Sequence, residues 1–388
     1  MKILTNLDGC ELGPIRPPSE ATSLLLRVTR NCPWNRCAFC AVYKRTRFSR
    51  REEETVMAEI DLLAEAARRV EERARERSPG GEVTARAVLE LVNDPGSTDE
   101  ERRVALWMNR GARNVFLQDA DSLVRPPEKI APILERLKER FPSVSRVTTY
   151  ARSRTLYARS PEQLSMLRDA GLTRIHVGVE SGSEAVLEMI SKGCRPEHHV
   201  EGCRRAIEAG FEVCCYVMPG LGGRRLSTDH ARETASVLRA IDPHHVRLRT
   251  LWVDPGSPLE EMRDSGEFEL LEEHEIVEEI RTMIAGLRGA SGRLVSDHDR
   301  NLLADLEGHL TDDADDLDAA CARFLELDEV TRDAYVVARR SGYFRTLGFF
   351  LADGGAVATF FPVARELREL GDGSLLRGME RGLRHRRI

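Results

Sequence analysis

The sequence predicts an α/β fold: a partial (β/α)6 TIM-type barrel with a helical C-terminal lobe. Three observations predict it. Short apolar runs recur between residues 24 and 253, and most are followed by a helical pattern. Glycines close two of those patterns, at Gly171 and Gly210. Beyond Pro255 and Gly256 the strand signal fades and helical periods take over. Strands alternating with helices at this spacing imply βαβ units and a parallel sheet.

In chain order, residues 24–29 (LLLRVT) read as the first strand, ending where a cysteine-rich loop begins. Residues 52–77, rich in Glu, Ala, Leu and Arg, predict a long charged helix broken by Pro79, Gly80 and Gly81. Residues 82–112 predict further helix, with NDPGSTDEE as a turn and N-terminal cap. The alternation then sets in. NVFLQ (114–118), RVTTY (146–150), RIHVGVE (174–180), FEVCCYVM (211–218) and HVRLRTLWV (245–253) predict strands. The stretches 127–140, 161–170, 183–192, 197–209 and 227–240 predict the helices between them. With the first, that makes six strands, fewer than the eight of a closed barrel. The periodicity fits a partial barrel and also fits a doubly wound open sheet. Past residue 260, helices are predicted over 272–288, 299–308, 315–327 and 329–340. The expected organisation is an N-terminal segment (1–20), a barrel (21–260) with a helical insertion at about 68–112, and the helical lobe (261–388).

The 388 residues suffice for one large domain with an added lobe, or for two domains. Hydrophobic residues at 41% and charged residues at 31% suit a folded globular chain. The net charge of -6 argues against a general nucleic-acid or membrane binder. The basic tail RGLRHRRI reads as a solvated terminus, so nucleic acid is not an expected partner. No apolar run approaches the roughly 20 residues that span a bilayer. The N-terminus MKILTNLDGCELGPIRPP lacks the apolar core of a signal peptide, so a cytoplasmic location is expected.

Nine cysteines, an odd number without an export signal, make a disulfide framework unexpected. Cys10, Cys194, Cys203, Cys214, Cys215 and Cys321 are scattered and read as packing. The other three form Cys32-Pro-Trp-Asn-Arg-Cys37-Ala-Phe-Cys40, a C-x4-C-x2-C loop. Three thiolates this close suit zinc or an iron–sulfur cluster. Structural zinc takes four protein ligands, and the next Cys or His in the chain is His176. Most clusters also take four cysteines. Three therefore suit a [4Fe–4S] cluster with one iron left open.

This loop resembles that of the radical S-adenosylmethionine (SAM) superfamily. The family's usual spacing is C-x3-C-x2-C with an aromatic before the last cysteine, where Phe39 stands. One extra residue separates the first two cysteines. The resemblance covers roughly residues 20–260 and is nearest to the Elp3/MiaB-like (HemN-like) group. It implies a [4Fe–4S] cluster on Cys32, Cys37 and Cys40, with SAM binding the open iron through its amino and carboxylate groups. After the second strand the family carries Gly-Gly-Glu, whose acid holds the SAM amino group. The matching stretch places Asp121 at that acid and Asp119 where a glycine usually stands; an Asp-rich turn is the competing reading. GVESGSEAVLEMISKG (178–193) resembles the group's fourth strand and following helix. There Glu180 would accept from the SAM ribose, with Ser181 beside it, and Ser183 would cap the helix. Arg195 would pair with the SAM carboxylate, and Lys192 competes for that role. In YVMPGLGG (216–223), Val217 and Gly220 would lie against adenine. Arg152, ending the third strand, and His298, in SDHDRN, are expected at the substrate.

The implied activity is reductive cleavage of SAM to methionine and a 5′-deoxyadenosyl radical, which takes hydrogen from an unidentified substrate. A flavodoxin- or ferredoxin-type protein would donate the electron. Three other readings stay open. The chain would be an RNA or protein modifier like the methylthiotransferases, whose extra cysteine cluster and β-rich C-terminus it lacks. It would be a non-catalytic cluster or haem carrier on the same fold, or a zinc-stabilised structural protein.

Overall fold

The computed structural model describes residues 10–379; the first nine residues and the basic tail lie outside the described residues. The chain divides into two compact units. The first comprises Met1–Asn35, Val42–Gly178 and Glu201–Val213; the second comprises Arg36–Ala41, Val179–Val200 and Cys214–Ile388. The fold is α/β with an eight-stranded sheet. All six expected strands are present, as β1 (Leu24–Arg27), β2 (Asn114–Gln118), β3 (Arg146–Ala151), β4 (Arg174–Glu180), β5 (Glu212–Val217) and β6 (His245–Leu248). Two short strands follow, β7 (Arg293–Val295) and β8 (Gly308–His309).

In the first unit, β1, β2, β3 and β4 pair in parallel, with Leu24 opposite Val115, Val115 opposite Val147, and Thr149 opposite Ile175. The long helix Glu53–Arg77 forms because Val56, Ile60, Leu63, Val70 and Ala74 repeat at helical spacing and give one buried stripe. Val70 and Ala74 pack with Ala87, Val88, Leu91 and Ala105 of the next two helices, Ala85–Val92 and Asp99–Met108. The expected cap is there: the Thr98 side chain accepts from Glu101 N–H while Glu101 returns the bond. Gly171 ends Pro161–Ala170 at φ 118°, a left-handed value that glycine adopts without strain.

In the second unit, β5, β6 and β7 pair in parallel, and β8 pairs antiparallel with β7. The helices Gly223–Ile241 and Glu273–Leu287 lie beside them in sequence and bury apolar faces. The helix expected at 299–308 is absent, and that stretch holds turns and the start of β8. Leu302, Leu303 and Leu306 are buried, but Asn301 ties the segment to the end of β6. Its Oδ1 accepts from Thr250 N at 2.8 Å, and its Nδ2 donates to the Leu248 carbonyl at 2.8 Å. The helix expected at 183–192 shortens to Glu184–Met189. Among the described residues no helix is long and apolar enough to cross a membrane.

Candidate functional site

The residues singled out above fall in both units, and each set is described within its own unit. In the first, β1 delivers the chain to Cys32, and β2 delivers it to Asp119 and Asp121. Asn31 and Asn35 turn the cysteine loop with left-handed φ values of 67° and 48°, which asparagine tolerates better than most residues. Asn35 N–H donates to Cys32 Sγ at 3.3 Å. Asp119, at φ 75°, holds a left-handed conformation that glycine adopts more readily than any other residue. Its buried carboxylate is engaged by Arg27 Nε at 2.5 Å, Tyr43 Oη at 3.0 Å and Asn31 N at 3.1 Å. Asp119 thus braces the residue just before Cys32.

Asp121 differs. It is fully buried, its Oδ2 accepts from Thr155 Oγ1 at 2.5 Å, and its Oδ1 has no hydrogen-bond partner among the described residues. Burial pushes its carboxyl up to about 6, against the lowering effect of Thr155 and Arg152. Arg152 lays its guanidinium over the Trp34 ring, 4.9 Å from the centroid, two residues past Cys32.

In the second unit, backbone bonds hold the segment carrying Cys37 and Cys40. Ala38 N–H donates to the Ile190 carbonyl at 2.8 Å, and the Ala38 carbonyl accepts from Leu259 N–H at 3.0 Å. Glu180 ends β4 at φ 63°, a value that costs a non-glycine residue about 1 kcal/mol or more. Such outliers cluster at ligand sites. Its Oε1 accepts from Lys192 Nζ at 3.0 Å, and that ammonium stands over the Phe39 ring at 5.6 Å. Lys192 is buried. Burial works against its charge, but Glu180, Cys37 and Cys194 together hold its pKa above the usual lysine value. Arg195 is instead exposed and lies 3.4 Å from Glu184. Lys192 and Arg195 thus differ in burial, a difference that their spacing in the sequence does not reveal.

Ser183 stands at the N-cap position but makes no side-chain cap bond, contrary to expectation. Its N–H donates instead to Ser181 Oγ at 3.0 Å. Ser181 Oγ lies 2.8 Å from His230 Nδ1, and His230 Nε2 lies 3.1 Å from the Met218 carbonyl. A carbonyl only accepts, so Nε2 carries the proton and Nδ1 accepts from Ser181. Burial pushes His230 down to about 4, which keeps it neutral at neutral pH. Glu279 completes the cluster. It accepts from Gly220 N–H at 2.6 Å and Ser227 Oγ at 2.5 Å. Gly220 turns left-handed at φ 87°, and Val217 is fully buried with its carbonyl bonded to Arg249 N–H. The turns after β4 and β5 are thereby tied to two helices through His230 and Glu279. The sequence carried a signal for Glu279 that went unread: an acid at helical spacing with Ile276, Ile280 and Met283 on a buried face.

Burial also pushes Glu279 up to about 7 from an ordinary 4.5. Between those values the folded state holds a proton that the unfolded state has released, so stability falls as pH rises through this window. The shift sets the loss at no more than about 3 kcal/mol. Glu279→Gln removes it. The Tm of the variant relative to the native chain should therefore climb as pH is raised from about 5 to about 8, and a constant difference would contradict the assignment. His230, whose Nε2 lies 3.6 Å from Glu279 Oε1, acts in the opposite sense below its ordinary 6.5, so the climb above that pH is the part that reports on Glu279.

None of the nine cysteines is in a disulfide. Cys32, Cys37 and Cys40 are half-buried, whereas all the others except Cys194 are buried. Among the described residues no three His, Cys, Asp or Glu side chains stand together as a metal-binding group. The fit to a cluster lies in the donor chemistry. Three accessible thiols share one loop, one receives a backbone N–H, and another feels a buried ammonium group.

The sequence model of the radical SAM superfamily matches residues 26–234, more than half of the chain. An uncharacterized protein of Methanocaldococcus jannaschii is 30% identical over 103 residues, 26% of this chain and 31% of that protein. The heme chaperone HemW of Bacillus subtilis is 28% identical over 112 residues, 29% of each chain. The matched segments thus span less than a third of those relatives' own length. Among solved structures, coproporphyrinogen III oxidase (HemN) of Escherichia coli matches with a TM-score of 0.45 and 15% identity. That match covers 68% of this chain and 52% of that one.

Proposed function

The chain belongs to the radical SAM superfamily, and from that membership we propose that it is a catalytic member abstracting hydrogen from a substrate. Members of this family bind a [4Fe–4S] cluster and SAM and are mostly enzymes; the enzymes generally need an external electron donor and a substrate. When bound, the cluster supplies the electron that splits SAM into methionine and a 5′-deoxyadenosyl radical.

This chain's residues divide the work as follows. Cys32, Cys37 and Cys40 hold the cluster. Asp119 fixes the loop and does not touch the cofactor. Asp121 offers its unpartnered buried oxygen to the SAM ammonium group, a charge-assisted bond. Lys192, in place of Arg195, pairs with the SAM carboxylate, while Glu180 takes the ribose hydroxyls. Ser181 holds the turn through His230, and Val217 and Gly220 shape the adenine end. Arg152 and His298 face the substrate. The protein works in the cytoplasm with a flavodoxin- or ferredoxin-type donor. The observation that carries the reading is the buried Lys192–Glu180 pair over Phe39, in the same unit as Cys37 and Cys40.

The test is anaerobic reduction of reconstituted protein with SAM. An enzyme forms 5′-deoxyadenosine. A carrier, the second reading, favoured by the likeness to a heme chaperone, forms little or none. Lys192→Met should weaken SAM binding about 10- to 100-fold, Lys192→Arg should restore part of it, and Arg195→Ala should leave it unchanged. The opposite ranking of positions 192 and 195 would return the role to Arg195.

A further inference from the structure

β6 leads into a group of basic side chains, all within the second unit: Arg247 and Arg249 on the strand and its continuation, His298 and Arg300 on the loop after β7. Arg249 N–H bonds the Val217 carbonyl at 2.9 Å, so extended pairing continues past Leu248. Residues two apart in extended chain share a face, which puts the two arginines on one side. Val246, Leu248 and Thr250 alternate with them and are buried.

The arginines are treated differently. Arg247, opposite Tyr216 in the ladder, meets Asp297 Oδ2 at 2.8 Å. Arg300 meets Asp254 Oδ1 at 2.7 Å. Arg249 is half-buried, and among the described residues its guanidinium has no ion pair and no side-chain hydrogen bond. Withdrawing such a fork from water without a partner is unfavourable, and an anion that accepts two of its N–H groups relieves the cost.

His298 adds a second donor. Its Nδ1 accepts from Arg300 N–H at 3.1 Å. The Asp299 carboxylate also lies 2.9 Å from that nitrogen, on a side chain that is 90% exposed, whereas the Arg300 amide can only donate to it. Burial and the neighbouring Arg249 charge push His298 down to about 4. The ring is then neutral at neutral pH, with its proton on Nε2.

We propose that Arg249 and His298 form a recognition site for an anionic oxygen group, carboxylate or phosphate, and that the substrate of this enzyme is accordingly an acid. The inference rests on the reading of the chain as a radical SAM enzyme and names the chemical class of its substrate. The cofactor's own carboxylate is already provided for by Lys192.

The experiment is calorimetric titration of the reconstituted holoprotein, saturated with SAM, using inorganic phosphate in one arm and acetate in the other. One of the two anions binds with unit stoichiometry, and the better one tells which source of negative charge the site is built for. Arg249→Gln weakens that binding about tenfold or more. Arg249→Lys, which keeps the charge and loses the fork, weakens it less and guards against a folding defect. Arg332→Gln, at another half-buried arginine, leaves it unaltered. The inference is overturned if neither anion binds the native protein, if Arg249→Gln binds as tightly, or if SAM and the anion displace each other. A native protein that makes no 5′-deoxyadenosine on anaerobic reduction defeats the enzyme reading instead, an outcome read independently of the anion titration.

Discussion

Replacing Cys37 with alanine should remove the iron–sulfur chromophore and reduce 5′-deoxyadenosine formation to background, while the chain still folds. The thiol is half-buried, so little packing is lost with it. The backbone around it is held independently, through Ala38 N–H to Ile190 and Leu259 N–H to Ala38. What disappears is one of three thiolates, and two cannot hold three irons of a cube. Cys203→Ala is the matched control. That thiol is fully buried, its loss leaves a small cavity, and the expected cost is about 1 kcal/mol of stability with iron content intact. Equal iron in Cys37→Ala and the native protein would show that the loop is not the ligand set.

Gly182→Ala should be among the most destabilising single substitutions in the chain. A Cβ at position 182 would stand 2.4 Å from the Glu233 carbonyl oxygen and 2.6 Å from Thr234 Cα. Both are backbone atoms of the helix Gly223–Ile241, which cannot step aside as a flexible side chain can. The turn must move outward, breaking the 2.8 Å bond from Gly182 N–H to Thr234 Oγ1 and shifting Ser181 from His230. A loss of about 3 kcal/mol is expected, visible as a Tm lowered by several degrees. Because the turn follows Glu180 directly, SAM affinity should fall with it. A Tm within a degree or so of the native value would mean that the helix and the turn do not pack as described.

The strands that position these groups were legible because each has enough residues to show apolar patterning. β7 and β8, three and two residues long, have no period to read, and they exist because neighbouring backbone pairs with them. The buried leucines at 302, 303 and 306 imitate a helical face, and only the tie from Asn301 to β6 betrays a loop. The cysteine loop was legible because ligand chemistry demands a local spacing. Lys192 and Arg195 were not separable, since three residues apart after a short helix they differ only in burial. Asp119 and Asp121 look alike in a row of acids. One is satisfied by Arg27 and Tyr43, and the other keeps an oxygen without a partner. Glu279 and His230 lie far along the chain from the turns they support, and that distance hid them.

Electron paramagnetic resonance of the anaerobically reconstituted, reduced protein, recorded with and without SAM, bears most directly on a three-thiolate cluster that leaves one iron open. The expected spectrum is that of a reduced [4Fe–4S] centre, altered when SAM is added because the cofactor reaches the vacant iron. A spectrum indifferent to SAM, or a colourless protein carrying one equivalent of zinc, would contradict it.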